Sequence, residues 1–139
     1  MKSLQRLIRV HKAELDAKRA ALGVLERRRA GIVAAIEGLD AELRAERALA
    51  ETSLDAMVAF PRYAEGVRYR RKLLEHAVAD VDREIEAARA AVLAAFTELK
   101  RFEVTLERKR EAARREALRH EQARQNELGL VMYRRRETA

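Results

Sequence analysis

The chain has 139 residues, 38% of them charged and 4% aromatic, with no Trp, one Pro and five Gly, a composition that suits a long helix or coiled coil and excludes a globule with a well-filled core. Its net charge of +7 leaves acidic proteins, nucleic acid and anionic membranes to be weighed as partners. With no Cys, disulfides and thiolate metal sites are excluded, which is consistent with a reducing cytoplasm.

At the start, Lys2, Arg6 and Arg9 stand among Leu4, Leu7 and Ile8, so the uninterrupted apolar run of a signal peptide is missing. No later segment approaches the roughly 20 apolar residues of a membrane span, and a soluble protein is expected.

The first predicted element is a helix over residues 3–58. Steps of four and three from Leu4 meet Ile8, His11, Leu15, Lys18, Leu22, Leu25, Arg29, Ile32, Ile36, Leu39, Leu43, Glu46, Ala50, Ser53 and Met57. Only His11, Lys18, Arg29, Glu46 and Ser53 interrupt this apolar series, which is a heptad seam long enough to indicate a coiled coil. Gly23, Gly31 and Gly38 fall off the seam and each weaken a helix by about 1 kcal/mol relative to Ala. They are either tolerated exposed positions or places where a partner backbone approaches closely.

The turn is predicted at residues 59–62, Ala59-Phe60-Pro61-Arg62, because the sole proline cannot donate to a helix ladder and disfavours helical dihedrals in its predecessor. A second helix is predicted over 63–136. Its seam runs Val67, Arg71, Leu74, Val78, Val81, Ile85, Ala88, Val92, Ala95, Leu99, Phe102 and Leu106, and decays afterwards into Lys109, Glu116, His120 and Glu127. The predicted fold is therefore all-α: residues 1–139 form a single long antiparallel two-helix coiled-coil hairpin. With the turn at Phe60 and Pro61, Leu43 would face Val78, Ile36 would face Ile85, Leu22 would face Leu99 and Leu15 would face Leu106. Residues beyond roughly 118 would then overhang, and because a bare helix is marginal in water, the overhang is expected to fray alone and to be ordered by a partner.

Charge is uneven along the chain. Basic residues number eleven against nine acidic up to residue 58, nine against nine over 59–107, and ten against five from 108 onward. Arg114, Arg115, Arg119, Arg124 and Arg134 to Arg136 carry the excess. Glu107 and Glu111 with Arg115 fit a solvated face of helical ion pairs, and an anionic membrane or acidic protein surface is the other reading. Nucleic acid is not expected as a partner, because Glu111, Glu116 and Glu121 dilute the basic stretch, where a nucleic-acid-binding region carries denser charge.

Nothing points to catalysis, which needs groups held at fixed separations in a concave site. His120-Glu121 opens like a zinc protease motif, but Arg124 stands where the second His is required. His11 and His120 both fall on the seam, where a polar pair setting register is favoured over a metal site. No enzyme activity, metal or cofactor is predicted.

Two apolar clusters are candidate contact surfaces. Around the predicted turn, Met57, Val58, Phe60, Tyr63, Val67 and Tyr69 either cap the hairpin or dock a partner, exposed aromatics being typical anchors, with Phe60, Tyr63, Val67 and Tyr69 as the candidate patch. Leu128, Leu130, Val131, Met132 and Tyr133 lie on the predicted overhang, and together with Arg114, Arg115, Arg119 and Arg124 they read as a partner-binding surface.

Three stretches, in this order, resemble the FliJ family of flagellar protein-export components: Leu4-Gln5-Arg6-Leu7-Ile8-Arg9-Val10, then Glu98-Leu99-Lys100-Arg101-Phe102-Glu103 with Leu106-Glu107-Arg108-Lys109, then Glu121-Gln122 with Glu127-Leu128. Asn126 stands where the family pattern has Asp. The resemblance implies a cytoplasmic protein, peripheral to the inner face of the cell membrane, that enters an export ATPase ring like the central stalk of a rotary ATPase. It also implies contacts with an export gate membrane protein and with export chaperones. The alternative is a general coiled-coil scaffold or self-associating protein, and an exchange of helices between two copies is left open.

Overall fold

The computed structural model describes residues 1–138. Among them the fold is all-helical, with α1 (Lys2–Ala50) and the longer α2 (Leu54–Thr138) packed against each other as a hairpin. Both helices follow from the composition: long runs of Ala, Leu, Arg, Glu and Lys carry little helix penalty.

The chain reverses eight residues earlier than its proline suggests, at Glu51, Thr52 and Ser53. The predicted boundaries of 3–58 and 63–136, with the turn at 59–62, are corrected accordingly. Thr52 and Ser53 both return their N–H groups to the Leu49 carbonyl, at 3.1 and 3.0 Å, and close the end of α1. Ser53 is then the N-cap of α2. Its hydroxyl accepts from the Ala56 N–H at 3.4 Å, its carbonyl takes the Met57 N–H at 3.0 Å, and Asp55 lies in the first turn, where a carboxylate suits the positive end of the helix dipole. No described residue needs a left-handed backbone.

Pro61 sits inside α2. It withholds one backbone donor and crowds the preceding turn, a cost of about 3 kcal/mol in a helix interior. Both Pro61 and Met57, whose carbonyl loses its partner, are exposed, so water can serve the orphaned oxygen.

The contacts divide the chain into two units: residues 14–95, and residues 1–13 together with those from 96 onward. In the first, Leu15, Leu39, Ala64, Val67, Val81 and Ile85 are buried, with Val67 and Val81 each 1% exposed. Their spacings are three, four, or whole heptads with or without a further three or four, as the heptad seam requires. Two interruptions of that seam turn out to be paired. Arg29 Nε meets Asp82 Oδ1 at 2.6 Å, and Arg71 grips Asp40 with Nε at 3.1 Å and a second nitrogen at 3.4 Å. Arg28 reaches Glu84 at 3.5 Å. These pairs place Asp40 opposite Arg71, where the predicted register would set it opposite Val81, a slip of ten residues in the direction of the earlier reversal.

In the second unit Ile8, Leu99 and Leu106 are buried and His11 stacks on Phe102 with ring centroids 4.6 Å apart. His120 instead approaches Glu116 of its own helix at 3.2 Å, so the two histidines expected to share a seam layer have different partners. Burial stops at Leu106, and every described residue from Glu107 onward is exposed. The overhang thus begins about a dozen residues before the predicted 118.

Candidate partner-docking segment

Residues 107–138 form a single exposed stretch of α2, about 30 residues and on the order of 45 Å of helix. The helix end is reinforced only locally. Arg114 pairs with Glu107 at 3.1 Å, Arg115 with Glu111 at 2.7 Å and Arg124 with Glu121 at 2.7 Å, all exposed contacts worth little individually. Arg119 makes no ion pair among the described residues and projects its charge into solvent.

Beyond Arg124 the surface changes character. Leu128, Leu130, Val131, Met132 and Tyr133 are all exposed, Leu128 by 59% and Tyr133 by 61%. Leu128, Val131 and Met132 share one helical face by their spacing of three and four, and Leu130 with Tyr133 extends the apolar surface around the axis. Arg134, Arg135 and Arg136 border it. A contiguous apolar surface rimmed by charge is the form of an interaction site. The structure therefore keeps all nine predicted docking residues of this segment on the surface of one exposed helix.

The second predicted cluster is divided by the structure. Val67 belongs to the seam interior and cannot meet a partner. Phe60 is half-buried beneath the Arg47 guanidinium, 5.7 Å from its ring centroid. Tyr63 is also half-buried. Loss of water raises its pKa above the ordinary tyrosine value, and the Glu42 and Glu46 carboxylates add to this by repelling the phenolate. Only Tyr69 is well exposed. With the reversal at 51–53, the apolar side chains left open at the hairpin end are Leu49, Leu54, Met57 and Val58, of which Leu54 and Val58 are 72% and 75% exposed. A first helix running to residue 58 would carry Leu49 and Leu54 in its interior stretch, whereas the structure sets them on either side of the reversal. The signal that locates them is the Ser53 cap followed by Asp55.

The glycines of α1 are open positions as well: a methyl group on Gly31 or Gly38 would meet nothing within 4 Å. No helix among the described residues is long and apolar enough to cross a membrane, and the same residues hold no group of three potential metal ligands.

Comparison with known proteins returns one family. No curated protein and no solved structure matches the chain. The family model of the flagellar FliJ protein matches residues 1–138, and the chain belongs to this family of flagellar export-related proteins.

Proposed function

We propose that the chain is a non-enzymatic stalk or adaptor of the flagellar protein-export apparatus, whose exposed segment 107–138 enters the export ATPase ring. Through the same apparatus it is linked to the export gate membrane protein and to export chaperones, at the cytoplasmic face of the membrane. One observation carries this reading: burial ends at Leu106, while a basic helix with a terminal apolar cluster continues. A segment that has no intramolecular partner and displays five large apolar side chains gains most from insertion into a complementary pore or groove.

Deleting residues 107–138 tests the proposal. The shortened chain is expected to keep its helical hairpin by circular dichroism and to lose binding to the assembled ATPase in co-sedimentation. Undiminished binding by a folded deletion variant would overturn the assignment of the docking segment.

A further inference from the structure

The structure places the reversal where the heptad pattern does not notice it. From Leu4 to Leu106 one frame of alternating four- and three-residue steps runs through Ala50, Ser53, Met57, Phe60, Ala64 and Val67 without a change of phase. A hairpin has no need of this, since the connection between two helices is free to reset the frame. A continuous helix does need it, because its seam must stay on one face throughout.

The frame is also self-complementary. Its positions pair antiparallel at residue numbers totalling 110, as in Ala50 with Phe60, Glu46 with Ala64, Leu43 with Val67 and Ile36 with Leu74. This is within about two residues of the register seen in the cross-helix contacts Asp40 with Arg71, Arg29 with Asp82 and Arg28 with Glu84. The connecting residues Glu51, Thr52 and Ser53 include neither Gly nor Pro, and no left-handed backbone fixes the reversal.

We infer that the chain exchanges helices with a second copy of itself: residues 51–53 become helical, α1 and α2 fuse, and the same seam forms between two antiparallel chains. Every seam layer and cross-helix ion pair of residues 14–95 is reproduced between copies, so the exchange costs few native contacts. It also gains one. Around its two-fold axis the exchanged pair sets Ser53 against Met57 and brings Leu54 against Leu54 of the other copy, covering apolar side chains, Leu54 and Met57, that the hairpin leaves open. Charge permits the pairing, because residues 1–107 carry twenty basic against eighteen acidic side chains while the basic excess lies in 108–138, outside the paired region.

The absence of cysteine allows a direct test in the full-length chain. In a D40C/R71C background, oxidation links the two positions within one chain in the hairpin and between two chains in the exchanged dimer, and a non-reducing gel separates the products. Refolding at high concentration is expected to give a linked dimer. Adding E51A, T52A and S53A, which raise helix propensity through the connection, should increase its share roughly tenfold. Inserting one Ala after Thr52 leaves the hairpin helical by circular dichroism but rotates the frames about 100° apart, and should abolish the dimer. Monomer-linked product alone in the triple-Ala variant, or equal dimer with and without the insertion, would overturn the inference.

Discussion

Arg71 holds Asp40 across the hairpin with two nitrogens, Nε at 3.1 Å and a second at 3.4 Å, while a third contact at 2.5 Å ties it to Glu75 one turn further along its own helix. An arginine on a hydrophobic seam is a break in the pattern when only its own helix is considered. Across the pair it becomes a statement of register, because only one alignment of α1 and α2 brings the two side chains together. Arg29 and Asp82 repeat the device.

Both ion pairs are half-exposed, so their value lies in alignment more than in stability. A double-mutant cycle of Arg71→Ala and Asp40→Ala, read by urea denaturation, is expected to give a coupling energy of about 0.5–1 kcal/mol. A coupling near zero would mean that the two groups do not hold the register.

Burial separates two classes of leucine on α2. Leu99→Ala should cost about 2–3 kcal/mol, the lower part of the range for core truncations because a two-stranded seam encloses each side chain incompletely. Leu128→Ala should change stability by less than about 0.5 kcal/mol. Thermal or urea unfolding checks both, and equal losses at the two positions would contradict the end of pairing at Leu106.

Helix-breaking residues at open positions make stabilisation accessible. Gly31→Ala and Gly38→Ala should each add about 1 kcal/mol, since the new methyl groups meet nothing within 4 Å and the helix penalty is relieved. Pro61→Ala restores a donor inside α2 and should add about 1–3 kcal/mol. A loss of stability at Gly31 or Gly38 would reveal a close backbone neighbour.

Tyr63 provides a pH signature. Its neutral form is favoured in the fold by loss of water, and then by the nearby carboxylates of Glu42 and Glu46, against the opposing charge of Arg70. A raised folded pKa means that this contribution to stability is present below the unfolded value near 10 and is lost as pH rises through the folded value. In a Tyr69→Phe, Tyr133→Phe chain, phenolate absorbance should titrate above the free tyrosine midpoint, and Glu42→Gln should lower it. A midpoint at or below that of free tyrosine contradicts the described surroundings.

Much of this architecture was legible in the sequence, because a 3.5-residue repeat of Leu, Ile and Val over fifteen heptads has few alternative explanations. The family was legible too, through three modest motifs in the right order. The reversal was not. Pro61 is the more conspicuous signal, yet a long helix stabilised by tertiary packing absorbs a single proline, and the quieter Ser53 cap with Asp55 decides where α2 begins. The register and the expected overhang moved with it. The seam pattern itself had indicated the correct limit, since its decay starts after Leu106, whereas counting from the proline postponed the end to about residue 118. Arg29 and Arg71 were visible as interruptions, but their acidic partners could be recognised only once the helices were aligned.

The proposed docking residues on 107–138 were legible as composition and as an absent partner, a reading that rests on counting where one helix outlasts the other. Val67 shows the limit of that approach. It is grouped with Phe60 and Tyr69 by proximity in sequence, although it also opens the predicted seam of the second helix, and burial follows the seam.

The most direct measurement is amide hydrogen exchange along α2 in the full-length chain, free and with the assembled export ATPase. Free, residues 107–138 should exchange orders of magnitude faster than Leu99, because bare helix lacks the packing that protects the seam, and the ATPase should slow them. Protection at Leu128 equal to that at Leu99 in the free chain, or no slowing on addition of the ATPase, would contradict an unpaired helix reserved for a partner.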